Sequence, residues 1–187
     1  MSRKKIQSNV LLLRKLRLIH RWLGIPLIIF FFIIGATSIL LAWKKKAELL
    51  PPTLKTKVEQ VQDWKSTSSL MELAQEEMVS RNLDPEIDRL DYRPDKGVVK
   101  VTFTSHFTEV QLDGYTGEIL SVATRHSDWI EKVHDGSIVD YYFGQGEGAK
   151  LTYSSLTALG LILMSLTGFY LWFFPKKIRK LKSKPSL

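Results

Sequence analysis

Four histidines are the side chains of this sequence best suited to hold a metal ion or a haem iron. They are His20, His106, His126 and His134, and the sequence contains no cysteine. Without cysteine the chain cannot form its own disulfide, a thiolate metal site or a cysteine nucleophile. Imidazole and carboxylate groups must therefore supply any metal site. We expect His106, which falls between two predicted strands, to be exposed.

The densest set of potential metal ligands lies between residues 126 and 135. Its members are His126, Asp128, Glu131, His134 and Asp135. On a helix, residues three or four apart share a face, so Glu131 could meet His134 or Asp135. The run contains no recognised zinc motif such as HExxH, and the solvated face of an ordinary helix has the same composition. We therefore predict no metal site here.

The segment Asp113-Gly114-Tyr115-Thr116-Gly117 offers a different chemistry. It resembles the short acceptor motif, an aspartate followed by Thr-Gly or Ser-Gly, on which flavin transferases attach FMN through a threonine phosphoester. Thr116 would be the attachment residue. The motif usually continues with a small residue, whereas the next residue here is glutamate, whose charge would oppose a phosphate. The same residues are typical of a hairpin turn, which we predict, with covalent FMN on Thr116 as the alternative.

Arrangements typical of enzymes do not stand out elsewhere. The sequence shows no Ser-His-Asp order, no phosphate-binding Walker loop and no paired-carboxylate arrangement. Serine and aspartate are common in the middle of the chain, and loose templates match such a composition by chance. We therefore predict that this protein is not an enzyme.

Two long apolar stretches, one near each end of the chain, contain no charged residue. The first runs from about Trp22 to Trp43, and the second from about Leu151 to Phe174. About 20 helical residues cross roughly 30 Å of hydrocarbon, and soluble helices rarely run this long without a charge. The first stretch is too long for the apolar core of a signal peptide, and ILLAWKKK offers no cleavage site. We predict two spans of the lipid bilayer.

Charge is divided between the two ends and the middle of the chain. The formal net charge is +8, but residues 44–150 hold all 19 acidic residues against 14 basic ones, a net −5. Residues 1–21 and 175–187 are basic and contain no acid. Basic residues beside a span favour the cytoplasmic side and contact with anionic lipid. We predict that both termini are cytoplasmic, that the middle lies outside, and that nucleic acid is not a partner.

The middle of the chain has the pattern of a small α+β domain. A helix is predicted from Ser66 to Asn82, because hydroxyl side chains precede an apolar stripe. Alternation then predicts half-buried antiparallel strands. A short helix is predicted over residues 126–136. The strands lie near residues 87–93, 99–103, 110–112 and 118–123, and the apolar side of the short helix holds Trp129, Ile130 and Val133.

The fold class is therefore a membrane α+β protein. Two transmembrane helices flank a small extracytoplasmic domain in which a helix packs on an antiparallel β-sheet. The predicted divisions are a basic N-terminal segment (1–21), span 1 (22–43), a linker (44–65), the α+β domain (66–125), a helix and loop (126–150), span 2 (151–174) and a basic tail (175–187).

Small residues occur in both spans and allow helices to approach closely. Gly160, Ser165 and Gly168 lie in the second span, and residues 35–38 (Gly-Ala-Thr-Ser) lie in the first. Thr157 and Thr167 could add hydrogen bonds between helices. We expect the spans to pack on each other or on a neighbouring membrane protein.

The order of these parts resembles the PepSY-associated transmembrane helix proteins of bacterial inner membranes. The resemblance covers about residues 16–175. It implies a PepSY domain, a helix plus a sheet, that faces the periplasm. Larger relatives have more spans, and some look like haem-bearing reductases acting on iron–siderophore complexes. The matching segments are His20-Arg21-Trp22-Leu23-Gly24, Val110-Gln111-Leu112-Asp113, Thr116-Gly117-Glu118-Ile119, Val133-His134-Asp135-Gly136, Leu166-Thr167-Gly168 and Leu171-Trp172.

Haem b bound by His20 and His134 would need a second chain. A b-type haem takes axial ligands from opposite faces of one ring. His20 lies at the cytoplasmic end of the first span and His134 on the far side, so roughly 30 Å of hydrocarbon separates them. A symmetric dimer could pair His20 with its copy, or a partner subunit could donate the second ligand. The alternative is an interfacial histidine that contacts headgroups or a carbonyl.

The function that these observations favour is that of a non-catalytic inner-membrane accessory protein. Its periplasmic PepSY domain would bind or regulate a membrane or periplasmic partner, or a second copy in a homodimer, in iron uptake or a membrane redox system. The first alternative is an electron-transfer subunit of a membrane reductase, with haem at His20 or flavin at Thr116. The second is a peptidase inhibitor, by analogy with protease propeptides.

Overall fold

A computed structural model describes residues 3–57, 63–144 and 146–182 of the chain. The chain divides into two compact units. We name the first, Met1–Ser38 with Val133–Leu187, the membrane unit, and the second, Ile39–Lys132, the sheet unit. The elements in chain order are α1 (Arg3–Ala42), α2 (Thr67–Ser80), β1 (Ile87–Arg93), β2 (Val98–Phe103), β3 (Thr108–Asp113), β4 (Ile119–Thr124), α3 (His126–Asp135), α4 (Ser137–Phe143) and α5 (Gly148–Lys182).

The helices α1 and α5 supply the two spans. Asn9–Ala42 and Gly148–Lys176 are long and apolar enough to cross a membrane, and few of their residues are buried within the protein. The basic segment before Trp22 continues the helix of the first span from Arg3 onwards. Pro26 therefore lies inside α1. A proline there removes one backbone hydrogen bond, a loss that transmembrane helices tolerate.

Glycines let α1 and α5 approach each other closely. A Cβ added to Gly160 would lie 2.7 Å from Cδ1 of Leu27, whose side chain is buried, and one added to Gly24 would lie 3.0 Å from Cε of Met164. Gly35, in contrast, has no other atom within 4 Å of its Cβ position among the described residues. The expected packing of the spans on each other is confirmed for Gly160 but does not include Gly35.

A short helix, α4, was not predicted. Gly136 (φ +81°) and Gly144 (φ +63°) bound it in the left-handed conformation that glycine adopts without strain. Asp140 in α4 accepts hydrogen bonds from the backbone N–H groups of Ala149 (2.9 Å) and Lys150 (2.8 Å). The buried carboxylate of Asp140 thus caps the first turn of α5, where free N–H groups favour an anion.

The sheet unit consists of an antiparallel sheet with the order β1-β2-β3-β4 and the helix α2. The Ser66 side chain caps α2 by accepting from the Ser69 N–H at 3.2 Å. One face of α2 and one face of the central strands form the core of the unit, so this part of the predicted fold is confirmed. The core residues are Leu70, Ala74 and Met78 of α2 with Val99, Val101, Phe103, Val110 and Leu112 of the sheet.

The prediction that β2 is half buried was wrong. All six residues of β2 are buried, including Lys100 and Thr102 on the face that turns away from α2. The reason is that part of the predicted linker packs against the sheet. Residues 50–56 lie on this second face without regular secondary structure, held by hydrogen bonds to β3.

Two smaller predictions also need correction. In α3, Ile130 is buried but Trp129 is 46% exposed, because the buried side of the helix runs through Ser127 and Ile130. His106 is half buried rather than exposed, since its Nε2 lies 3.0 Å from the Asp84 carbonyl oxygen and its ring lies 5.1 Å from that of Phe103.

Candidate functional site

His20 on α1 is held by Thr167 on α5. Nδ1 of His20 lies 2.7 Å from Oγ1 of Thr167. The threonine hydroxyl has a single proton, which it donates to the Leu163 carbonyl oxygen at 2.6 Å. With that proton engaged, the hydroxyl oxygen is placed to accept a hydrogen bond from Nδ1–H of His20. In that tautomer the ring lone pair is on Nε2.

His134 and Thr37 repeat this arrangement elsewhere in the membrane unit. Oγ1 of Thr37 lies 2.9 Å from Nδ1 of His134 and donates its proton to the Ile33 carbonyl oxygen at 2.7 Å. The hydroxyl oxygen of Thr37 is therefore also placed to accept from Nδ1–H of His134. A hydrogen bond from one ring nitrogen that fixes the tautomer and leaves the other nitrogen basic is typical of metal-ligating histidines.

The two histidine–threonine pairs are far apart along α1. His20 and Thr37 are 17 residues apart in one continuous helix, which corresponds to about 26 Å at 1.5 Å per residue. Both pairs belong to the membrane unit. The structure therefore keeps His20 and His134 from ligating one iron within a single chain.

A cleft of about 230 Å³ lies beside His134. Its wall is mostly apolar, with Phe31, Ile34 and Leu161 among the lining residues. The hydroxyl of Tyr153, which also lines the cleft, is buried and has no hydrogen-bond partner among the described residues. The cleft thus combines apolar side chains with polar ones, among them the His134 ring and the Tyr153 hydroxyl.

Asp135, next to His134 in the sequence, is already engaged by other residues. Burial alone would raise the pKa of Asp135, but hydrogen bonds from Ser137 and the charge of Lys150 outweigh it and lower the pKa. Oδ1 of Asp135 accepts from the Ser137 hydroxyl at 2.6 Å, and Oδ2 lies 3.4 Å from Nζ of Lys150. Asp135 is therefore a charged structural acceptor.

The other candidate metal ligands are not brought together. Asp128 accepts from Arg125 Nε at 2.6 Å, while Glu131 and His126 are exposed. Throughout the described ranges, no group of three or more histidine, aspartate or glutamate residues is placed to hold a metal ion. Asp128 and Asp135 instead form ion pairs with Arg125 and Lys150.

Thr116 lies in the loop of the β3–β4 hairpin, as the hairpin interpretation predicted. Its backbone N–H donates to Oδ1 of Asp113 at 3.1 Å, and its Oγ1 accepts from the Glu118 N–H at 3.2 Å. Gly117 occupies the position with positive φ (+77°) that the turn requires. The side chain of Thr116 is exposed and takes part in the local hydrogen bonding of the loop.

The sheet unit contains a buried charge network that the sequence did not reveal. Nζ of Lys100 on β2 lies 2.9 Å from Oε1 of Glu109 on β3, and both side chains are at most 4% exposed. Arg125 pairs with the other carboxylate oxygen of Glu109 and with Asp128. Burial would lower the pKa of Arg125, but Asp128 and Glu109 outweigh it and raise the pKa. The only sequence signal was opposite charge on neighbouring strands.

The residues after α1 join this polar face through amide groups. Gln111 on β3 donates from Nε2 to Glu109 Oε1 (2.8 Å) and to the Pro52 carbonyl oxygen (2.9 Å). Its Oε1 accepts from the Leu54 N–H at 2.9 Å. Gln111 thereby binds the segment that follows α1 directly to the charge network.

Asp113 fixes the far end of the same segment. It accepts from the Thr56 hydroxyl on Oδ2, and from the backbone N–H groups of Tyr115 and Thr116 on Oδ1. Burial would raise the pKa of Asp113, but these hydrogen bonds outweigh it and lower the pKa. The carboxylate therefore favours its charged form in the folded unit.

The start of α3 is bound to the same segment. The Ser127 N–H donates to the Leu49 carbonyl oxygen at 2.8 Å, and Ser127 is fully buried. Arg125, two residues earlier, contributes its ion pair to Glu109. The polar face of the sheet therefore holds both segments that connect the sheet unit to the spans, the one after α1 and the one that opens α3.

These features define a membrane protein with two candidate spans and a small α+β unit whose sheet is covered on both faces. Residues 17–186 match the family model described as the PepSY-associated TM region. The chain belongs to that family, which confirms the resemblance. Compared with curated proteins, the sequence has no significant match.

Proposed function

We propose that this protein is a non-catalytic accessory protein of a bacterial inner membrane. Its PepSY domain, in the sheet unit, faces the periplasm and binds or regulates a partner in an iron-uptake or membrane redox system. Both chain termini lie in the cytoplasm. The basic ends of the chain, flanking two apolar helices, support this orientation.

The observation that carries the proposal is the attachment of both connecting segments to one polar face of the sheet. Glu109, Gln111 and Asp113 on β3 hold the residues after α1 and the beginning of α3. A partner that alters the sheet would therefore act directly on the segments leading to both spans. The buried polar groups of this face are paired with each other, an arrangement that holds segments and activates no nucleophile.

The test is to isolate the full-length protein from bacterial membranes and identify what copurifies in stoichiometric amount. We expect one defined membrane or periplasmic protein, retained by an Asp95→Asn control and lost when Glu109→Gln weakens the face that holds both connecting segments. A protein that stays alone after cross-linking in intact cells would contradict the accessory role. A reporter fused after Leu187 that is active only outside the cytoplasm would contradict the orientation.

The histidine–threonine pairs favour a second candidate, an electron-transfer subunit that carries haem b. In the tautomer in which His20 and His134 donate Nδ1–H to a threonine oxygen, Nε2 of each ring would be left to bind a haem iron. A bound haem would supply one-electron transfer, and the protein would supply the oriented imidazoles. Because His20 and Thr37, the residue that contacts His134, lie about 26 Å apart along α1, each haem would take its second ligand from another chain.

The visible spectrum of the purified protein separates the two candidates. A Soret band that is lost in His20→Ala or His134→Ala would support the haem-bearing subunit, and a colourless preparation that retains its partner would support the accessory role. Covalent flavin would instead give fluorescence on the denatured polypeptide that disappears in Thr116→Ala. Ser165→Ala, at an exposed position of the second span, is the control for both measurements.

A further inference from the structure

The two edges of the sheet differ in how they are protected. β1 carries Asp88, Arg89, Asp91 and Arg93 along its seven residues. Charges on an edge strand discourage pairing with another strand. β4, with the sequence ILSVAT, has no charged residue and is at least partly exposed along its whole length. β4 is therefore the edge of the sheet that lacks charged protection.

β4 retains enough regular backbone to pair with an added strand. It is hydrogen-bonded to β3 on one side, and among the described residues no strand lies on its other side. Its one irregularity falls where Gln111 pairs with Ser121 and Leu112 with Ile119, so Leu120 is the extra residue. From Ser121 to Thr124 the pairing is regular, which leaves an edge with unpaired backbone groups.

A cleft of about 800 Å³ runs beside β4 on the polar face of the sheet. Ser121 and Ala123 provide small side chains on its β4 side, and the residues after α1, including Leu50, line it as well. Lys45 and Lys96 contribute positive charge, against Glu48 as the acidic lining residue. The cleft therefore offers room and a net positive charge beside an unprotected edge.

We propose that β4 pairs with an extended segment of a partner protein, which adds as a fifth strand. This inference rests on the proposed function, because it specifies how the PepSY domain would bind its partner. Successive side chains of a strand alternate between the two faces of a sheet. On one face the added strand continues the apolar surface of Val122, which packs against the core. On the other face its long acidic side chains enter the cleft.

A second copy of this chain fits the edge less well. Pairing β4 with another β4 would bring Ser121 and Ala123 of that copy to the cleft side, and these side chains are too small to fill it. It would also bring a second set of Lys45 and Lys96 instead of the complementary charge. A partner segment in which apolar residues alternate with glutamate or aspartate satisfies both faces. Main-chain hydrogen bonds would supply affinity and the cleft would supply specificity.

The test uses the full-length protein in phosphatidylcholine nanodiscs and labelled peptides of about eight residues, a common strand length. The probe alternates valine with glutamate. Its controls are the same peptide N-methylated at alternate residues, which cannot pair as a strand, and a peptide of valine and lysine. We expect anisotropy to detect binding of the first peptide only, weakened about tenfold or more by Ala123→Glu, which is a cost of about 1.4 kcal/mol.

Val79→Glu is the matched control, because Val79 is an exposed apolar residue on α2 and the change adds the same charge. Circular dichroism and thermal unfolding establish that both variants fold. Equal binding of the N-methylated peptide, or equal weakening by Val79→Glu and Ala123→Glu, would overturn the proposal. So would loss of peptide binding in nanodiscs with anionic phosphatidylglycerol, because headgroups would then occupy the cleft. A partner that still copurifies with Ala123→Glu would overturn only the role of β4 and leave the accessory function standing.

Discussion

The histidine–threonine pairs of the membrane unit and the charge network of the sheet unit use their polar side chains in different ways. In the membrane unit, His20 and His134 each use Nδ1 in a hydrogen bond to a threonine, which leaves Nε2 outside that bond. In the sheet unit, Lys100, Glu109 and Arg125 are satisfied by one another. The first arrangement leaves a group able to bind a ligand. The second holds chain segments together through its ion pairs.

The two arrangements respond differently to substitution. A buried charge that loses its partner is costly, because no water replaces the missing contact. Loss of a single hydrogen bond between an imidazole and a threonine hydroxyl destabilises the fold far less. Single substitutions in the charge network should therefore lower the stability of the sheet unit strongly. Substitutions at the histidine–threonine pairs should change the stability of the membrane unit little and should mainly change ligand binding.

The largest effect is expected from Glu109→Ala. It leaves Lys100, which is 4% exposed, and Arg125 without their shared carboxylate. Breaking one side of such a buried pair costs about 3–5 kcal/mol. Denaturant unfolding of the full-length protein in detergent, followed by the fluorescence of Trp64 in a chain whose other tryptophans are replaced by phenylalanine, measures the loss.

Glu118→Ala is the matched control, because Glu118 pairs with Lys57 at 3.6 Å and both side chains are more than half exposed. Such a surface pair contributes about 0–1 kcal/mol. Similar losses for the two variants would show that the Glu109 network does not hold the sheet unit together, and the comparison between the units would fail.

An intermediate effect is expected from Gly160→Ile in the membrane unit. The new Cβ would lie 2.7 Å from Leu27 Cδ1, so α1 and α5 must shift apart, at a cost of about 1–3 kcal/mol. The natural chain has no cysteine, so a cysteine pair introduced on the two helices can report their separation by disulfide formation. Gly35→Ile, at a position whose Cβ would meet no neighbouring helix within 4 Å among the described residues, should leave the disulfide yield unchanged. Equal yields in the two variants would refute the role of Gly160.

The sequence predicted the elements that depend on local patterns. The bounds of β1 came from alternation, the β3–β4 turn from Asp113 and Gly117, and the two spans from their uncharged length. The buried second face of the sheet could not be predicted in this way. Lys100 and Glu109 alternate with apolar residues as on a solvated strand, and only the return of residues 50–56 across the sheet buries them.

In the candidate site, too, the sequence predicted the residue types but not the contacts between distant residues. His20 and His134 were recognisable from their residue type, but their hydrogen-bond partners, Thr167 and Thr37, are distant from them in the sequence. The cleft beside β4 depends on the packing of the residues after α1, which the sequence described only as a linker. The helix α4 was missed because a seven-residue helix between two glycines has too few turns to show a period.

A smaller effect, dependent on pH, is expected from Asp113. Its pKa in the folded unit lies below the ordinary value of 3.8, so at low pH the folded chain binds fewer protons than the unfolded chain. The stability that Asp113 contributes is complete above its ordinary pKa and is lost as the pH falls through the lowered one. Asp113→Asn should therefore unfold more easily at neutral pH and show a flatter dependence on pH below about 4.

Denaturant unfolding at a series of pH values measures both parts of that prediction. Asp95→Asn is the control, because Asp95 is an exposed residue of the β1–β2 turn. If Asp113→Asn reproduced the acid dependence of the wild type, the hydrogen bonds from Thr56, Tyr115 and Thr116 would not stabilise the charged carboxylate. The segment after α1 would then be held by Gln111 without help from Asp113.

Thr167→Val is expected to have the smallest effect on stability, about 1 kcal/mol or less. The change keeps the shape of the side chain and removes the oxygen that contacts His20. Nitrogen NMR of labelled histidine should show the ring of His20 changing from the Nδ1–H form to a mixture of tautomers, while His134 keeps its form through Thr37. Ser165→Ala, an exposed change two residues away, should alter neither ring. If the Nδ1–H form of His20 survived Thr167→Val, the threonine would not set the tautomer. The hydrogen bond to Thr167 would then not orient the His20 ring for a ligand. The proposed contrast with the charge network of the sheet unit would fail at this histidine.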